Sequence, residues 1–115
     1  MLYHKDLGLP KGFNGNVGTV RLDYSMHAKQ AALNDKYGRI KEFNVLDTSN
    51  AQVIEVELVN GQVNKIVYRT EYTKTLDLVI VVMPRGHYFF VKSQWLNLAS
   101  DDHKTLDVSK YNRVS

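Results

Sequence analysis

The sequence predicts an α+β fold: one main helix packed on a four- to five-stranded antiparallel meander sheet. Three observations predict it. Four β-rich segments follow one another at 51–59, 62–72, 76–83 and 87–95. The links between them are short and turn-forming, with Asn60-Gly61 and Pro84-Arg85-Gly86 as tight reversals. One segment after Ser25 is instead rich in Ala, Lys, Gln and Leu, as a helix requires.

The chain has 115 residues and no break in composition, so a single domain is expected over 1–115. It divides into an irregular segment 1–18, a helix and sheet over 19–95, and a docked tail over 96–115. Zero cysteines exclude a disulfide framework, a thiolate metal site and a cysteine nucleophile, and point to a reducing compartment. The first residues lack the basic start and apolar run of a signal peptide, and no stretch reaches 18 apolar residues. The expectation is a cytoplasmic protein with no membrane partner. The formal charge of +3 is compatible with a polyanionic partner, and the charges are sorted: 52–58 holds two acids and no base, whereas 63–74 holds three bases and one acid.

Gly8, Pro10, Gly12, Gly15 and Gly18 make 1–18 a region of turns, read as an ordered coil laid over the domain and anchored by Phe13 and Val17, with a flexible tail as the alternative. Residues 19–24 alternate Val20, Leu22 and Tyr24 with Thr19, Arg21 and Asp23, which suits a short strand. Ser25 is a good N-cap, a helix is expected over 26–36, and Gly38 is placed to stop it. Ala28, Ala31 and Ala32 would let that helix approach a sheet closely. Residues 39–50 read as a loop or short turn with Ile40, Phe43, Val45 and Leu46 as core contacts. The nearly continuous apolar run 76–83, charged only at Asp77, should be a central strand covered on both faces.

Short links force successive strands antiparallel, because a parallel return needs a crossover of about a dozen residues or more. A plain two-residue turn at Asn60-Gly61 would set Lys65 opposite Val56. A loop with one extra residue pairs Glu57 with Lys65 and Val56 with Ile66, which suits charge and burial better. In that register Ile54, Val56, Ile66 and Tyr68 face the helix, and Glu55, Glu57, Lys65 and Arg69 lie on the other face. In the tail, Leu106, Val108 and Tyr111 supply apolar surface for docking.

There is no Walker loop, dinucleotide fingerprint, His-Glu-x-x-His or Gly-x-Ser-x-Gly. Four histidines are scattered without ligand spacing, so no metal and no cofactor is expected. His27, in the first helical turn, and His103, in Asp101-Asp102-His103-Lys104, are candidate acid–base groups, weighed against packing or capping for the first and a solvated loop for the second. Lys65, Arg69, Lys74, Arg85 and Lys92 are interleaved with Tyr68, Tyr72, Tyr88, Phe89, Phe90 and Trp95. Cations beside aromatic faces are what single-stranded RNA recognition uses, against the plainer reading of a sheet with aromatic cross-strand pairs and a solvated charged face.

With a strand, a Ser25-x-His27-Ala28 helix and a four-stranded meander, residues 19–95 resemble the toxin-type fold of RelE-like and colicin-like ribonucleases. That resemblance implies a twisted sheet whose open face handles RNA, with Lys65, Arg69 and Lys92 steadying phosphate and His27, His103 or Tyr111 handling protons. Separately, the run from Val91 to Asn97 with Asp102-His103-Lys104-Thr105-Leu106-Asp107 and Ser109-Lys110-Tyr111 is similar to the ends of small uncharacterised phage-encoded proteins. This implies a host cytoplasm as the compartment.

The reading that follows is an RNA-binding or RNA-cleaving protein. Its candidate catalytic residues are His27, His103 and Tyr111, acting without metal, and its candidate nucleic-acid contacts are Lys65, Arg69, Arg85, Lys92 and Trp95. The alternative is a non-enzymatic phage accessory protein whose aromatic residues bind and block a host protein.

Overall fold

The computed structural model describes residues 2–3, 18–60 and 62–100. They form β1 (Leu2–Tyr3), β2 (Thr19–Tyr24), α1 (Met26–Leu33), β3 (Val45–Asp47), a 3-10 turn (Thr48–Asn50), β4 (Gln52–Val59), β5 (Gln62–Glu71), β6 (Leu76–Arg85) and β7 (Tyr88–Leu98). The strands make one sheet in the order β1-β4-β5-β6-β7-β2-β3, six strands if the two-residue β1 is set aside.

This corrects the expected class. The protein is mostly β, with one eight-residue helix, and the sheet is mixed and larger than a four- to five-stranded antiparallel meander. β4 to β7 do pair antiparallel in succession, as their short links demand. β2 is tied to β7 by no short link, so its direction is free. It runs parallel to β7, from Arg21 opposite Tyr88 to Tyr24 opposite Val91. β3, expected as loop, returns antiparallel onto β2 with Leu46 opposite Val20.

Ser25 caps α1 as its type suggests: its Oγ accepts the Ala28 N–H at 3.0 Å. The helix stops at Leu33, earlier than the expected 36, because Asp35 turns its carboxylate away from the helix. One oxygen accepts the Tyr37 N–H and the other the Leu96 N–H at 3.1 Å. The second bond satisfies a donor on the part of β7 that β2 leaves uncovered. Gly38, at φ +115°, then reverses the chain so that Ile40 donates its N–H to the Ala32 oxygen.

In the first hairpin Glu57 pairs with Lys65 and Val56 with Ile66, the favoured register. The extra residue lies in the strand, not in the loop. Val59 and Gln62 close a two-residue turn with Asn60 at φ 53°, and Asn64 bulges before Lys65. A second bulge at Ile54 corrects the face assignment of that side chain. Val53 opposes Tyr68 and Glu55 opposes Val67, so Ile54 leaves the helix side.

Two apolar clusters result. The main core joins Ala28 and Ala32 of α1 to Val53, Val56, Ile66, Tyr68, Leu78, Ile80, Val82, Val91 and Leu96. The second, on the opposite face, contains Ile54, Val67, Val79 and Val81, with Trp95 packed against it. β6 is buried on both faces through 78–82, as its apolar run requires.

Candidate nucleic-acid interface

Along β6, Val79, Val81, Met83 and Arg85 share one face, because side chains alternate and β6 carries no bulged residue. Arg85 is the partner of Tyr88 on β7, and Tyr88 is the partner of Arg21 on β2. The three strands therefore set an Arg–Tyr–Arg row across the second face at the β6–β7 end. The Arg21 guanidinium lies over the Tyr88 ring, 5.1 Å from its centroid, and His87 meets the same ring edge-on at 6.0 Å. Arg85 holds its guanidinium locally, through the Pro84 oxygen at 3.0 Å. Both arginines are exposed, and neither joins an ion pair among the described residues. The next row along pairs Met83, Phe90 and Asp23, adding a second aromatic ring and one carboxylate.

The residues expected to contact nucleic acid fall into two groups. Arg85 and Lys92 are exposed cations. Lys92 occupies the bulge between Val91 and Ser93, and its carbonyl accepts a hydrogen bond from Ser25 Oγ at 3.1 Å. This brings the start of α1, with exposed His27 two residues on, to the same corner of the sheet. The His27 side chain makes no hydrogen bond, ion pair or ring contact among the described residues. His103 and Tyr111 lie outside the described residues.

Lys65, Arg69 and Trp95 are engaged within the fold. Lys65 Nζ sits 3.6 Å from Glu55 and 4.0 Å from Glu57, so its ammonium is already met by two acidic side chains. Arg69, 7% exposed, donates from Nε to Asp77 at 2.7 Å and from Nη2 to the Leu98 oxygen at 3.0 Å. Trp95 covers the second apolar cluster.

Sequence reasoning missed Arg21 as a contact because its neighbour Tyr88 lies 67 positions away, across the parallel pair. It also missed a groove of ≈ 590 Å³ between α1 and the strap 39–42. Lys29, Arg39 and Lys41 line it with one carboxylate, Glu42, and with the apolar side chains of Ala32, Leu33 and Ile40. The spacing of Lys29 from Ala32 and Leu33 was a legible signal, since residues three and four apart share a helix face.

Among the described residues no group of three or more His, Asp or Glu is arranged to hold a metal, and no helix is long and apolar enough to cross a membrane. No protein-family model, curated protein or solved structure matches the chain.

Proposed function

We propose that the protein binds single-stranded RNA on the second face of its sheet, at the Arg21–Tyr88–Arg85 row. The observation that carries the reading is the pair of exposed guanidinium groups, neither in an ion pair among the described residues, flanking an aromatic ring, with Phe90 in the next row. A phosphate draws the Arg21 guanidinium off the Tyr88 ring and frees that face for a base to stack, a combination that tolerates sequence because every base has a π-face. Lys92 extends the positive track towards α1. Binding is the reading taken because the row offers phosphate and base contacts, whereas His27 stands on α1, outside the row.

The test is the anisotropy of a labelled single-stranded oligoribonucleotide in EDTA over a salt series. Arg21→Gln and Arg85→Gln should each weaken binding and lower the slope of log K against log salt by about 0.7, the value for one phosphate contact on a single strand. Tyr88→Ala should cost about 1–3 kcal/mol, the worth of one stacked base. Absence of binding at low salt, or an unchanged slope in the double arginine variant, would overturn the reading. Metal-independent cleavage lost in His27→Ala would replace binding with catalysis.

A further inference from the structure

The groove between α1 and the strap is chemically unlike the sheet row and lies far from it. Its wall includes Tyr72, beside the β5–β6 turn, where the Tyr72 and Thr73 N–H groups bond the Leu76 oxygen. Arg85 is nine residues further along β6, about 30 Å at the rise of an extended strand. Ala32, Ile40 and Tyr72 also belong to the helix-side core, on the opposite face from the arginine row.

The fold builds this groove deliberately from short-range contacts. Ile40 is buried, and its N–H is held by the Ala32 oxygen at 2.8 Å, so the flanking Arg39 and Lys41 turn outward on either side of it. Tyr72 Oη accepts the Lys41 N–H at 3.0 Å, and its ring meets Phe43 edge-on at 6.2 Å. The Lys41 ammonium lies 5.5 Å from the centroid of the Phe43 ring. Lys29 stands one helical turn before Leu33, which is 52% exposed at the rim. None of Lys29, Arg39, Lys41 or Glu42 is in an ion pair among the described residues. Three cations against one carboxylate leave the groove a net charge of +2.

We infer that this groove binds a nucleoside monophosphate, with the phosphate among Lys29, Arg39 and Lys41 and the base against the exposed Leu33 side chain and the Tyr72 ring of its wall. A phosphomonoester carries roughly −1.5 to −2 at neutral pH, which matches the groove, and three acceptor oxygens meet three cationic donors. The volume lies in the range of small-molecule sites, about 300–1,000 Å³. The inference is independent of RNA binding at the sheet row.

It is tested by two-dimensional amide NMR of the full chain titrated with AMP, adenosine and inorganic phosphate. AMP should give saturable shifts at residues 29–33, 39–43 and 72, with affinity about tenfold or more above both adenosine and phosphate, as loss of the whole phosphate or of the base requires. Lys29→Gln and Lys41→Gln should each weaken AMP about tenfold, with amide shifts elsewhere unchanged. Lys41→Arg should restore binding, and Arg85→Gln should leave it unaffected. A single-stranded oligoribonucleotide without a terminal phosphate should not displace AMP. No saturable shift at these residues up to about 10 mM AMP would overturn the inference. So would adenosine or phosphate binding as tightly as AMP, or displacement of AMP by the oligonucleotide. Failure of RNA binding at the sheet row leaves every one of these readouts intact.

Discussion

Arg69 and Asp77 form an ion pair across β5 and β6, Nε to Oδ2 at 2.7 Å, and the same guanidinium reaches the Leu98 oxygen on β7. One side chain thus ties three strands at the end of the sheet. Both partners are largely buried, so removing one leaves a charge without compensation. Arg69→Met alone should cost about 3 kcal/mol and Asp77→Leu alone a similar amount, whereas the double variant should recover most of the loss. Urea unfolding of the two single variants and the double variant checks this. Additive losses would show that the pair is not coupled.

Tyr24 ends β2 with its hydroxyl buried against the strap, where it accepts the Phe43 N–H at 3.1 Å and donates to the Phe43 oxygen at 2.9 Å. Burial, partly offset by the Phe43 N–H, pushes its pKa up to about 12. Burial also raises the hydroxyl pKa of Tyr68. Both folded values lie above the unfolded one of about 10, so the contribution is whole below pH 10 and is lost as pH rises through the folded values. Stability should therefore fall between about pH 10 and 12, and Tyr24→Phe should flatten that fall. At neutral pH the same variant should cost about 1–2 kcal/mol, because both polar groups of Phe43 lose their partner.

Local chemistry made much of the fold legible. The Ser25 cap, the Asn60-Gly61 reversal and the apolar run of β6 each act within a few residues, and each appears where its residues indicate. The Glu57–Lys65 register was legible because charge and burial agreed on it. The mixed topology was not. Nothing local to 19–24 shows that it will lie parallel to 88–91, since the pairing is fixed by the edge that β7 leaves open. The bulge that moves Ile54 to the second face is equally silent, because an alternating apolar pattern reads the same until one residue is skipped. The candidate site shared this limit. Cations were found by type, but whether Arg69 meets Asp77 or solvent depends on the diagonal between strands.

Ala28 is fully buried, and its carbonyl accepts the Gln94 Nε2–H at 3.3 Å beneath the helix. With Ala32 it sets how closely α1 approaches β7. Enlarging it forces the helix away and strains that bond. Ala28→Leu should destabilise by about 1–3 kcal/mol, whereas the same change at exposed Gln30 should be close to neutral. Thermal unfolding of the two variants checks the contrast. Equal effects would mean that the helix face is assigned wrongly.

Asp47 organises the 3-10 turn that leads into β4. Its carboxylate accepts the Ser49 hydroxyl at 2.6 Å, the Ser49 N–H at 3.1 Å and the Asn50 side-chain amide. These bonds, the Ser49 hydroxyl foremost, favour the ionised form and lower its pKa below the usual carboxylate value. A depressed folded pKa contributes stability that is present above the unfolded value, near 4, and is lost as pH falls through the folded one. Asp47→Asn sets a second amide against the Asn50 amide and abolishes that titration. The urea midpoints of the two proteins should differ by a constant amount above about pH 5 and converge below about pH 4. The turn also positions Thr48, whose hydroxyl donates to the Gly18 oxygen at 2.7 Å and accepts the Gly18 N–H at 3.0 Å at the start of β2. Loosening it frees the strand that carries Arg21. Asp47→Asn should therefore weaken RNA binding at neutral pH while leaving AMP binding in the helix–strap groove unchanged.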